Sequence, residues 1–196
     1  TFTKGRLHTK VKDLGSEYTV AFWFRNDTPN KARPVTAYLF SRGPNDGARA
    51  PGDHLGIGGT ATQANGTLFI YNGDAAKGLL GGKTVIAPGT WNHVVLTRNA
   101  NHVTAWLNGG TEPEFEGDIK ATAVDSQEFF LGGRNERFAL IDGRLAHLAF
   151  FKRAVNPTEA KQLHAAAGQP VGPITKPLEE SIPQATQADP KPEIAK

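Results

Sequence analysis

The chain has 196 residues, enough for one domain with a full core, and its 38% hydrophobic and 21% charged content is that of an ordinary globular protein. The net charge of +3 is scattered, with acids between Lys4, Arg6, Lys10, Lys12, Arg25, Lys31 and Arg33, so no dense basic stripe exists and nucleic acid is not expected as a partner. There is no Cys, which excludes disulfides and thiolate metal sites, and no run of about 18 apolar residues, so no membrane span is expected.

The absence of Met implies a removed leader or excision from a longer protein, and no signal peptide remains. With 22 Gly and 13 Pro, the composition favours many turns and hence β structure.

The predicted elements are short strands. Tyr18 to Phe24 puts Tyr18, Val20, Phe22 and Phe24 on one face and Thr19, Ala21 and Trp23 on the other. Val35 to Phe40 follows, then a strand from His54. Asn65-Gly66 marks a tight turn before Thr67 to Tyr71. The stretch Gly78 to Thr84 is one residue short of a phosphate loop and precedes no helical pattern, so it reads as a turn before Thr84-Val85-Ile86. His93 to Arg98 and His102 to Leu107 form the next pair, and Glu128 to Leu131 and Leu145 to Phe151 are last. Four Gly-Gly pairs, at Gly58, Gly81, Gly109 and Gly132, are expected to end strands or sit in turns. Many short strands without helices between them indicate a sandwich or barrel.

One helix is predicted, with Asn156 as N-cap, Pro157 at N1, Glu159 as capping-box partner and Gly168 as terminator. After it the composition shifts to proline. The expected organisation is therefore a domain over 1–168 and a Pro-rich extended tail or linker over 169–196, with the tail able to dock on a protein partner.

The pieces YTVAFWFRND, LFSRG, GTWNHVVLTRNANHVTAWLNG, FFLGGR and IDGRLAHLAFFKRAVNPTEAKQLHA, in that order, resemble the laminin-G-like, concanavalin A-like jelly rolls over roughly residues 2 to 168. The resemblance implies an all-β fold: a two-sheet antiparallel sandwich with one short C-terminal helix. It implies a Trp filling the end of the sandwich and the helix closing one end of the core. It also implies an accessory binding module, carbohydrate or glycoprotein as ligand, and an extracellular or periplasmic setting. Some relatives hold calcium at the sandwich rim. Many have an acidic pair where this chain has Ala146 and His147, so no cofactor is required and calcium is left open; Asp46, Asp53, Asp74, Asp125 and Asp142 are the loop acids that could supply ligands.

No metal ligand set or catalytic residue is assigned. The six His are dispersed, without zinc spacing. A sandwich glycosidase needs carboxylates about 5 Å apart. The nearest pattern is Glu114, Glu116 and Asp118, expected on one strand face, but Pro113 and Gly117 mark an edge or loop. For recognition, alternation turns Val103, Ala105 and Leu107 inwards and Trp106 outwards, where a flat indole could stack on a sugar ring. The long polar loop from Arg42 to His54 suggests a rim site of Arg42, Asp53, His54 and Arg134. The expected activity is non-catalytic carbohydrate binding. The alternative is a scaffold module docking through the tail, and a glycoside hydrolase or lyase is third.

Overall fold

The structure is a computed structural model and describes residues 1–45, 51–62, 64–74 and 77–170. Residues 46–50 of the Arg42–His54 loop, Asp46 among them, and the tail from residue 171 lie outside the described residues. Twelve strands and one helix follow in chain order: β1 (Phe2–Thr3), β2 (Leu7–Lys10), β3 (Glu17–Asn26), β4 (Val35–Arg42), β5 (Asp53–Gly58), β6 (Thr67–Tyr71), β7 (Leu79–Val85), β8 (Trp91–Asn99), β9 (His102–Leu107), β10 (Phe115–Asp118), β11 (Glu128–Leu131), β12 (Asp142–Phe151) and α1 (Pro157–Ala167). One six-stranded sheet has the order β1-β12-β3-β8-β9-β10 and the other β2-β11-β4-β5-β6-β7, and every strand pairing in both is antiparallel. This is the expected jelly-roll sandwich.

The core follows from period-two alternation. Tyr18, Val20, Phe22 and Phe24 of β3, Val94 and Leu96 of β8, and Val103, Ala105 and Leu107 of β9 face Leu39, Leu55, Ile57, Leu68, Ile70 and Phe129 of the other sheet. The opposite face of β3, β8 and β9 is not left to solvent. Ala21, Val95 and Trp106 form a second apolar cluster with Val155, Ala160 and Leu163. The helix therefore lies along the outside of this sheet rather than closing an end of the core. Its start is fixed as predicted: Glu159 N–H donates to Asn156 Oδ1 at 2.9 Å, and Asn156 N–H donates to Glu159 Oε2 at 2.9 Å. The chain leading into it is tied to β3, where Thr19 Oγ1 donates to Arg153 O at 2.8 Å and accepts from Val155 N–H at 3.1 Å.

Two charged groups cross the sandwich. Arg98 on β8 is buried and pairs with buried Asp53 on β5, with Nε to Oδ2 at 2.7 Å and Nη2 against Oδ1. Tyr18 donates its hydroxyl to the same carboxylate at 2.6 Å. Burial opposes the Arg98 charge, but Asp53 outweighs it and holds the guanidinium pKa above its ordinary value. Burial first, and Asp53 second, push the Tyr18 hydroxyl well above its usual range.

The sequence expectation fails at Gly81-Gly82, which lies inside β7 rather than in a turn. The cause is Glu114. Its carboxylate accepts from Lys83 N–H at 2.5 Å, Thr84 N–H at 2.6 Å and Thr84 Oγ1 at 2.8 Å, and a Cβ on Gly82 would come within 2.4 Å of Glu114 Oε1. Glu114 thus links the edge strands of the two sheets. The strands β1 and β2 are too short and too polar for alternation to reveal them. Asp53→Ala would leave Arg98 buried without its partner. The expected cost is about 3–5 kcal/mol, read from urea unfolding; a loss below about 1 kcal/mol would show the pair to be dispensable.

Candidate functional site

The residues expected to form one site lie in three places. Arg42 and Asp53 point into the space between the sheets. Arg42 is 1% exposed and spends its guanidinium on main-chain oxygens: Ser126 O at 3.0 Å, Gly15 O at 2.7 Å, Val124 O at 2.6 Å and Leu14 O. His54 is fully buried on the outer face of the second sheet, beside Tyr38 and Tyr71. Arg134 folds over the same face, donating to Tyr38 Oη at 3.1 Å, pairing with Glu136 and stacking on Phe138 at 4.7 Å. Trp106 does face outwards on β9, as alternation requires, but α1 covers it and leaves it 5% exposed. These burials correct both expectations, the rim of Arg42, Asp53, His54 and Arg134 and the separate Trp106 platform: Arg42, Asp53, His54 and Trp106 offer almost no surface to a ligand, because backbone carbonyls, Arg98, neighbouring rings and the helix already occupy them.

Arg42 also bears on calcium. Four carbonyl oxygens converge at this rim, the kind of donor a hard cation takes. They already surround a fixed guanidinium, while Asp53 is committed to Arg98, so these residues do not fit a calcium ion. Among the described residues, no group of three or more His, Asp or Glu side chains could hold a metal.

The carboxylates Glu114, Glu116 and Asp118 do not converge. Glu114 reaches the other sheet, as described above. Glu116 and Asp118 sit on the outer face and hold His102 between them, at 3.0 and 2.9 Å.

A different pair of aromatics makes a cleft. On the outer face of the first sheet, Trp23 on β3 lies opposite His93 on β8, and Arg25 lies opposite Trp91. Trp91 therefore faces outwards and does not plug the sandwich end. With Asn108, His164, Ala165, Gly168 and Gln169, the two tryptophans enclose a cleft of about 400 Å³. The indole N–H groups of Trp23 and Trp91 are buried and have no partner.

Asn108 is held firmly. The turn after β9 places Asn108 at φ 52° and Gly109 at φ 71°, and Gly110 N–H donates to Leu107 O at 3.0 Å, the left-handed pair of a type I′ turn. Asn108 Oδ1 accepts from His93 N–H at 2.8 Å, and its Nδ2 donates to Asn92 Oδ1 at 2.9 Å. Glycine is required next to it: a Cβ at Gly109 would meet the His164 ring at 2.4 Å.

Beneath the cleft three rings pack together, with centroids 5.2 Å (Trp23–His93), 5.3 Å (Trp23–His164) and 5.1 Å (His93–His164) apart. Burial, helped by His164 and His147, lowers the His93 pKa to about 4. A larger cavity of about 730 Å³ lies among the loops lined by Lys10, Pro44, Pro51, Asp125 and Glu128. It contains no aromatic side chain, so the two-tryptophan cleft is the better recognition site. The signal for it was present in the sequence: Trp23 falls on the outward parity of its strand, and Trp91 opens the next one in the sheet.

Residues 3–161 match the concanavalin A-like lectin/glucanases superfamily. Domain 4 of AbnA, a GH43 extracellular arabinanase from Geobacillus stearothermophilus solved in complex with arabinotriose, is similar at 18% identity and TM-score 0.59, over 81% of this chain and 71% of that one. The binding domain of botulinum neurotoxin serotype G is similar at 12% identity and TM-score 0.58, over 82% of this chain and 40% of that one. The native heptameric SAP-like pentraxin from Limulus polyphemus is similar at 15% identity and TM-score 0.56, over 83% of this chain and 75% of that one. At these identities the likeness is one of fold. No curated protein sequence matches the chain.

Two outcomes are expected. Because His93 is held neutral in the fold but has an ordinary pKa near 6.5 when unfolded, the unfolded chain binds more protons between those values. Its contribution is full above about pH 6.5 and falls away towards pH 4, by roughly 3 kcal/mol in all. Melts across that range should show the decline, and His93→Gln should flatten it. Trp106→Ala should cost about 3–5 kcal/mol of stability, read by denaturant unfolding, as for a packed side chain under a helix.

Proposed function

The chain belongs to the concanavalin A-like lectin/glucanase superfamily, and on that premise we propose that it is a non-catalytic module that binds carbohydrate in the Trp23–Trp91 cleft. The observation that carries this reading is the half-buried indole of Trp91 in a cleft floored by Trp23, which is itself only 3% exposed, beside an immobilised Asn108. Indole faces match the apolar C–H faces of sugar rings, and the Trp91 ring is the one that keeps exposed surface at the cleft. The volume is that of a small-molecule site. None of the cleft's lining residues is a carboxylate, whereas glycoside cleavage uses a pair of them. The arabinotriose bound to the similar arabinanase domain supports a saccharide ligand, and the extracellular description of that enzyme supports an accessory role in an extracellular or periplasmic protein. Among the described residues no helix is long and apolar enough to cross a membrane. The cleft's lining residues carry no carboxylate for a hard cation, so recognition in this reading proceeds without calcium.

The second reading is a scaffold or protein-interaction module, with the Pro-rich tail as its docking segment. Burial of Trp106 favours it, since the outward indole expected to meet a sugar is used instead to hold the helix.

A glycan array with and without chelator tests the proposal. Binding should be insensitive to chelator and should fall roughly tenfold or more on Trp91→Ala, the loss of a stacked ring worth on the order of 1–2 kcal/mol. Binding that survives Trp91→Ala and Trp23→Ala unchanged would move the site elsewhere.

A further inference from the structure

Beside the cleft, the same outer face of the sheet carries a pair of arginines. Arg144 on β12 lies opposite Arg25 on β3, which lies opposite Trp91 on β8, so the three share one transverse row of the outer face. The next row is Ala146, Trp23 and His93. Neighbouring strands are about 5 Å apart, which puts Arg144 about 10 Å from Trp91 across the sheet and diagonal to Trp23.

The two arginines are differently placed. Arg25 donates from Nε to Asp27 Oδ1 at 2.7 Å and so carries a partly neutralised charge. Among the described residues Arg144 has no hydrogen-bond or ion-pair partner, and its Nε is buried. Asp142, two residues earlier on β12, makes no ion pair with it. A half-buried guanidinium without a partner is costly, and a bound anion would relieve that cost. The helix end does not cancel this charge: the Ala167 carbonyl is already paired with His147 Nδ1 at 2.5 Å.

We propose that the ligand is an anionic saccharide, with one ring held at the tryptophans and the carboxylate or sulfate of the same or the adjacent sugar on Arg144. Arg25 adds a second, weaker positive charge at the same end. The inference rests on the carbohydrate-binding reading above and names the class of sugar. The fork of Arg144 matches a carboxylate or sulfate by two parallel N–H donations, which a lysine cannot reproduce.

The test is titration of the whole chain, by tryptophan fluorescence and calorimetry, with tetragalacturonate, its methyl ester, a sulfated carrageenan tetrasaccharide and a panel of neutral tetrasaccharides. The acid or the sulfated sugar should bind about tenfold or more tighter than the uncharged ones. The two anionic arms tell carboxylate from sulfate. Arg144→Gln should abolish the preference while leaving the fold and weak neutral binding intact, and Arg144→Lys should restore it only in part. Equal binding of acid and ester with no gain for the sulfated sugar, or a preference that survives Arg144→Gln, overturns the inference. Tight binding of a neutral sugar alone also overturns it, but leaves the carbohydrate reading standing. If no saccharide binds, both fall.

Discussion

The interaction on which the structure depends is the ion pair between Arg98 and Asp53, because among the described residues it is the ion pair that reaches from one sheet to the other. Most of what fills the sandwich is apolar, and apolar contacts are tolerant of small slides. A guanidinium facing a carboxylate through two bonds is not. Moreover, the pair is fully provided for. Tyr18 donates to the carboxylate, and Arg98 gives its remaining donors to Ala100 O and Ile119 O, both at 3.0 Å. Such a pair adds little net stability, but it selects one alignment over its neighbours, since any slip would strand a buried charge. Arg42 extends the same logic to the loops, drawing Leu14, Gly15, Val124 and Ser126 onto one planar group.

The alignment set at that end is transmitted along β3 and β8 to the other. Tyr18 and Trp23 are on the same strand, five residues or about 16 Å apart, as Arg98 and His93 are on the next. The register Tyr18 to Arg98 is also the register Trp23 to His93 and Arg25 to Trp91. One residue of slip would turn each tryptophan from the outer face to the core. The tryptophan face of the cleft is therefore a property of strand pairing, and the end of the helix supplies its other wall. That is why the polar loop after Arg42, which sequence reasoning favoured, supplies structural groups and the sheet face supplies the cleft.

The fold was largely legible because its signals are local. The alternation of Tyr18 to Phe24, the Asn65-Gly66 turn and the Asn156–Glu159 cap each depend on residues a few positions apart. What was not legible depends on distant partners. Alternation gives the face of Trp106 correctly but cannot say that a helix about fifty residues later will cover it. Arg42, Asp53 and His54 are the residue types of a binding rim, and only topology reveals that Arg98 and four backbone carbonyls claim two of them first. The Gly81-Gly82 pair is a turn signal everywhere except where a carboxylate from another strand needs that space. The two cleft tryptophans are 68 positions apart, so no local pattern joins them.

The last turn of the helix forms part of the cleft wall, and Gly168 and Gln169 stand at its edge. The polypeptide thus passes the site on its way to the proline-rich sequence. A domain fused beyond that point would start from the same side of the sandwich as the cleft. The length of the connector, rather than rotation of the whole module, would then set how far such a domain could reach from the cleft.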